Sequence, residues 1–184
     1  MQILAMVITL IGYRGSGKST VAPRLAARLG WDWIDADVEL ERRAGRSIRE
    51  IFQRDGEGAF RRLERATLCD LLQRDRLVLA AGGGAILNAE TRRDLCAAGP
   101  VIWLQAAVET LARRMESDPV SGSQRPKLTA TGGLEEIQTL LAARDPYYRE
   151  AASFGVSTEG RTVDEIVDEI LAGLAARQTG SGEA

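Results

Sequence analysis

The stretch TLIGYRGSGKST, residues 9–20, constrains this chain more than any other, because it joins an apolar run to a helix start through Gly12, Gly15 and Gly17. Gly12 through Ser19 satisfies GxxxxGK followed by Ser or Thr, in a context of strand, loop and helix. Glycines there let the backbone turn tightly and aim successive N–H groups inward, while the helix N-terminus adds its partial positive charge. Such a loop encloses anionic phosphates. Gly15, Ser16, Gly17, Lys18, Ser19 and Thr20 are therefore expected to cradle a nucleoside triphosphate, ATP or GTP, with Lys18 reaching the β- and γ-phosphates and Ser19 giving one oxygen to Mg2+. The alternative is a glycine-rich turn that binds nothing. It is disfavoured by the chain's own usage, since of 24 basic residues only Lys18 and Lys127 are lysines, and one of them occupies the motif position.

Around this loop the pattern alternates. ILAMVITLI reads as a buried strand, and KSTVAPRLAARLG puts Val21, Leu25 and Leu29 on one helical face and closes at Gly30. Pro23 falls inside that helix, where it lacks an N–H and crowds the carbonyl of Ser19. WDWIDAD reads as a second strand and VELERRAG as a helix. Ser47 and Glu50 form a capping-box pattern ahead of IREIFQRD, and a longer helix is predicted from about 57 to 73. RLVLAAGGGAIL is a strand running into three glycines, followed by a helix capped by Asn88 and ended by Gly99 and Pro100. VIWL and FGVST complete a set of five strands, and a last helix over about 163–177 carries a capping box at Thr162 and Glu165. Strands alternating with helices predict an α/β fold, a mainly parallel sheet covered on both faces. ESDPVSGSQRPKLTATGG has no apolar period and reads as a mobile lid over about 115–130. One domain is expected over 1–177, with a disordered tail at 178–184.

Composition removes several functions. A formal net charge of −2 supplies no polycation for nucleic acid. The longest apolar run, Ile3 to Ile11, is too short to span a bilayer, and the start of the sequence lacks signal-peptide features, so a cytoplasmic protein without membrane attachment is expected. Histidine is absent, which leaves catalysis to carboxylates, Arg, Lys, hydroxyls and backbone. Cys69 and Cys96 read as reduced core thiols.

Further segments carry a resemblance. DAD after the second strand, GRSIREIFQRDGEGAFRRLE, the triple glycine, RPKLT and RDPYYREAA occur in an order and spacing similar to those of the shikimate kinase family, over about residues 6–167. The resemblance implies a three-layer αβα P-loop kinase fold and transfer of the γ-phosphoryl of ATP to the 3-hydroxyl of shikimate, in aromatic amino acid biosynthesis. It also implies Mg2+ and a monomer. Asp35 would help hold the metal, and Asp37 would bind the acceptor's hydroxyls and act as base. Two residues apart in an extended strand, both carboxylates would share a face; the local alternative makes Asp35 a turn residue and Asp37 a helix N-cap.

Arg61 and Arg144 match arginines that grip the acceptor's carboxylate, a task suited to the planar guanidinium fork, and Glu64 is placed to orient Arg61. Gly83, and with less weight Gly82 and Gly84, match a segment whose backbone approaches the acceptor where a side chain would intrude; a plain flexible connection is the alternative. Arg125 matches a lid arginine that folds over the ATP phosphates, though composition also allows a linker arginine. Arg114 matches a residue that packs on adenine, and Arg161 aligns more loosely with another adenine-site arginine. Two departures stand out: a longer lid, and VST in place of Val-Asp-Thr before the last helix. A kinase for another hydroxy acid such as gluconate, and an ATP-dependent regulatory protein without transfer activity, remain the competing readings.

Overall fold

The computed structural model describes residues 6–117 and 133–180. Strand β1 (Val7–Ile11) is buried throughout, as a Val, Ile and Leu run must be when helices cover both faces of a sheet. Helix α1 (Lys18–Leu29) lies between Gly17 and Gly30, both left-handed, and contains Pro23. Then follow β2 (Asp32–Asp35), α2 (Ala36–Ala44), α3 (Ile48–Leu71), β3 (Leu77–Ala80), a 3-10 turn (Ala85–Leu87), α4 (Ala89–Ala98) and β4 (Val101–Gln105). Helix α5 (Val108–Ser117), α6 (Leu134–Ala151), β5 (Phe154–Ser157) and α7 (Val163–Gly180) complete the described chain. The five strands lie in the order β2-β3-β1-β4-β5, every neighbouring pair parallel.

Side-chain alternation divides the core into two layers. Val7, Ile11, Leu77, Leu79, Val101 and Trp103 pack with Leu71, Leu95 and Tyr148 on one face. Ile8, Leu10, Val78, Ala80, Ile102 and Leu104 pack with Val21, Leu25, Val167 and Ile170 on the other. The α/β sandwich expected from the sequence is thus realised. Its order seats β1 beside β3, with β2 next, so the loops leaving the C-terminal ends of these three strands converge, where open parallel sheets bind ligands.

The capping signals work as read. Ser47 Oγ accepts from the Glu50 N–H while Glu50 accepts from the Ser47 N–H, Asn88 Oδ1 accepts from the Thr91 N–H, and Thr162 and Glu165 repeat the box. Gly56, at φ 78° and ψ 174°, breaks α3, which preserves the two helical segments that the sequence separates. Three boundaries and one burial differ. The second strand ends at Asp35, so Asp37 is helical. The α5 helix runs to Ser117, into the start of the expected lid, whose remainder, including Arg125, lies outside the described residues. The α7 helix reaches Gly180, so the tail expected from 178 begins in helical backbone. Cys96 is exposed rather than core, because it stands one residue past buried Leu95 and hence off the buried face of α4.

Thr9 is fully buried in β1, on the same face as Val7 and Ile11, and its hydroxyl has no hydrogen-bond partner among the described residues. Thr9→Val matches the side chain in shape and removes the desolvated hydroxyl, so it should stabilise the fold by about 1 kcal/mol. Calorimetry should show the thermal midpoint rising by ~2–4 °C. A lower midpoint would mean that the hydroxyl is satisfied.

Candidate active site

Gly12, Gly15 and Gly17 all have positive φ, at 147°, 77° and 98°. Gly12 is also sterically required: a Cβ there would stand 2.6 Å from the Leu104 carbonyl oxygen and 2.7 Å from Ser16 Oγ. The loop closes on Lys18, whose Nζ donates to the carbonyls of Gly12 (2.9 Å) and Tyr13 (3.0 Å) and to Ser16 Oγ (3.4 Å). One ammonium thus ties together the carbonyls at the start of the loop and the Ser16 hydroxyl.

Asp35 does two jobs with two oxygens. Its Oδ1 accepts from the N–H groups of Asp37 (3.0 Å) and Val38 (3.4 Å), capping α2, while Oδ2 accepts from Ser19 Oγ at 2.5 Å. Asp35 and Asp37 therefore do not share the face of an extended strand, because the helix begins at Ala36 and Asp37 enters its first turn. Asp35 rather than Asp37 is the N-cap. Both carboxylates nevertheless line one cavity of about 690 Å³, together with Gly15 to Thr20 and Gly83. A hydroxyl beside a carboxylate oxygen that the cap does not use is a hard-oxygen pair suited to Mg2+, which keeps waters and takes phosphate oxygens to complete its shell. Among the described residues no group of three His, Cys, Asp or Glu could hold a metal by itself.

The triple glycine brings two arginines together, in a way the sequence reading did not foresee. Close approach to Arg61 belongs to Gly84. A Cβ on Gly84 would lie 2.6 Å from Arg61 Nη1, whereas one on Gly83 would meet only ordinary contacts, the nearest at 3.6 Å. What Gly83 contributes is its carbonyl, which accepts from Arg144 Nη1 (3.2 Å) and from the Tyr148 hydroxyl (3.2 Å). Consecutive glycines after β3 thus meet an arginine from α3 and one from α6. Gly82 is buried and its carbonyl accepts from the Ala85 N–H, closing the turn that leads into the 3-10 segment. Arg61, Arg144 and Gly82 are not themselves on the cavity wall; Gly83 is.

Arg61 Nη1 donates to Glu64 (2.8 Å), and its Nε and Nη2 donate to Glu57 (3.3 and 3.2 Å). Burial works against the charge of Arg61, but the Glu64 and Glu57 carboxylates outweigh it and keep the guanidinium above its ordinary pKa. Tyr148, stacked on Trp103 at 5.3 Å, is pushed up to about 12 by burial, with Arg144 pulling the other way.

At the nucleotide end, Arg114 donates to the Gly15 carbonyl (3.2 Å) and to Thr158 Oγ1 and O (each 2.9 Å), tying the phosphate loop to the connection after β5. Arg161 pairs with Glu169 and donates to the carbonyls of Ser157 (3.3 Å) and Glu165 (3.0 Å). Both arginines line the cavity. Ser157, the departure noted in VST, accepts from the Glu159 N–H. Sequence reasoning missed Tyr13, Tyr148 and Thr158. The first lies at a variable position of the loop motif, and no periodicity marks the other two as touching the site.

The arrangement can hold a polyphosphate at one end and present a carboxylate, Asp37, to a second molecule at the other. A family model described as shikimate kinase matches residues 14–175. A shikimate kinase of Thermus thermophilus is 44% identical over 167 residues, 91% of this chain and 89% of its own. That of Rhodopirellula baltica is 39% identical over 88% and 87% of the two chains. Among solved structures, shikimate kinase from Acinetobacter baumannii in complex with shikimate is similar with a TM-score of 0.87 and 36% identity, covering 94% of each chain. A gluconokinase from Sinorhizobium meliloti, at TM-score 0.59 and 23% identity over 94% and 93%, shares the fold alone.

Proposed function

Because this chain belongs to the shikimate kinase family, we propose that it moves the γ-phosphoryl group of ATP onto the 3-hydroxyl of shikimate, releasing ADP and shikimate 3-phosphate for aromatic amino acid biosynthesis. The observation that carries this reading is the convergence of Arg61 and Arg144 on Gly84 and Gly83, next to a phosphate loop and Asp37. Two guanidinium forks suit the carboxylate of a hydroxylated ring acid. Asp37 orients the 3-hydroxyl and takes its proton, and Lys18 neutralises charge on the transferred group. Ser19 and Asp35 hold Mg2+, which when bound offsets phosphate charge. Arg114 and Arg161 form the base end of the nucleotide site, Gly15, Ser16, Gly17 and Thr20 wrap the phosphates, and Gly82 and Gly83 face the acceptor. Arg125, outside the described residues, is assigned on sequence grounds to the moving phosphoryl group. Catalysis here is mostly positioning and charge neutralisation.

No helix among the described residues is long and apolar enough to cross a membrane. A cytoplasmic monomer is the form we propose. Coupled ADP release with shikimate, with gluconate and with no acceptor tests the function: turnover with shikimate alone is expected, and equal turnover with gluconate or without acceptor would overturn it.

Gly84→Ala probes the acceptor end separately. The added Cβ meets the far end of a flexible side chain, so the fold should tolerate it, but the Arg61 guanidinium must move. Losing one charge-assisted contact of ~1.5–3 kcal/mol raises KM for shikimate about 10- to 100-fold, with KM for ATP unchanged. Equal KM values for shikimate in the variant and the parent would exclude Arg61 from the acceptor site.

A further inference from the structure

Arg144 needs more than one restraint to present a guanidinium plane in a fixed orientation. Its hydrogen bond from Nη1 to the Gly83 carbonyl, at 3.2 Å, fixes one edge. Tyr148, which donates to the same carbonyl, also hydrogen-bonds Arg144, so the polar anchor lies on the Gly83 side; a plane held from one side can still tilt, and bidentate pairing with a carboxylate requires that it not do so. The second restraint is an aromatic face: the Arg144 guanidinium carbon lies 5.4 Å from the centroid of the Tyr13 ring, within the range at which a cation is attracted to the ring quadrupole. Both partners are buried, Tyr13 at 4% and Arg144 at 8% exposure, so water screens the attraction little.

The ring itself is held firmly. It packs with Leu111 and Ala112 of α5 and Ile137 of α6. The backbone of the same residue belongs to the phosphate loop, and its carbonyl accepts from Lys18 Nζ at 3.0 Å. One residue therefore touches the lysine at the phosphate end and the arginine at the other.

We propose that Tyr13 is a positioning residue whose ring face seats Arg144 for the acceptor's carboxylate, with the phosphate loop thereby setting the spacing between that carboxylate and the transferred phosphoryl group. This rests on the assignment of Arg144 to the acceptor made above. The test is steady-state kinetics on a set of variants at positions 13 and 144. Tyr13→Leu keeps an apolar side chain but loses the ring face, and should raise KM for shikimate about five- to tenfold, a larger change than in KM for ATP. Tyr13→Phe keeps the face and should restore the parent KM. Stepwise fluorination of the Tyr13→Phe ring changes the quadrupole with little change in shape, so KM for shikimate should climb with each fluorine, a response that packing alone does not produce. Combining Tyr13→Leu with Arg144→Met should add nothing to Arg144→Met alone.

A KM for shikimate that is flat across the fluorinated series, or a Tyr13→Leu effect undiminished when Arg144 is already replaced, overturns the seat. An Arg144→Met enzyme with unchanged KM for shikimate overturns the acceptor assignment itself, and the seat with it. Should Tyr13→Leu not fold, the fluorinated series decides alone.

Discussion

Asp37→Asn is expected to lower kcat by about 10³-fold, within the range that positioned proton acceptors contribute, while leaving the fold nearly as stable as the parent. The structure separates these two outcomes. Asp35, not Asp37, accepts from the first N–H groups of α2, so the amide at position 37 removes no cap. The change also removes one negative charge from the first helical turn, worth about 0.3–1 kcal/mol. Thermal midpoints within a few degrees of the parent alongside a collapse in kcat support a chemical role; near-normal kcat refutes it. Asp35→Asn is the informative counterpart. Asparagine caps helices as well as aspartate does, so α2 should persist, while the oxygen facing Ser19 loses its charge. The Mg2+ concentration for half-maximal rate should rise about tenfold or more, and an unchanged requirement would remove Asp35 from the metal site.

Lys18→Met is expected to lower kcat by about 10²- to 10³-fold, the loss typical when one preorganised donor to developing charge is removed. It should also raise KM for ATP, because the ammonium lines the cavity and is held there by the Gly12 and Tyr13 carbonyls of the loop. Lys18→Arg should not rescue the rate. The guanidinium is a planar fork rather than a compact point charge, and it cannot bridge two carbonyls of one tight turn in the same way. Calorimetric titration with ATP and ADP checks the assignment: a γ-phosphate contact weakens ATP more than ADP, and equal weakening of both would reassign Lys18 to a structural role in the loop.

The fold was largely legible because its signals are local. Short apolar runs, the caps at Ser47, Asn88 and Thr162, and glycine stops at Gly30 and Gly99 each depend on neighbours within a few residues. The end of the second strand was missed because one side chain there serves both a local cap and a distant partner. Asp35 ends the second strand because its side chain caps α2 and meets Ser19, sixteen positions away.

By itself, then, the sequence determined the strand, phosphate loop and helix unit and the parallel α/β architecture, since glycine stereochemistry and hydrophobic period act within short spans of chain. Only the tertiary structure decided which glycine makes room for Arg61, that Gly83 offers its carbonyl to Arg144 and Tyr148, and that Tyr13 lies under Arg144. These contacts join residues from α3, α6 and the loops that follow β1 and β3, and their distances exist only once the sheet order has set those elements side by side.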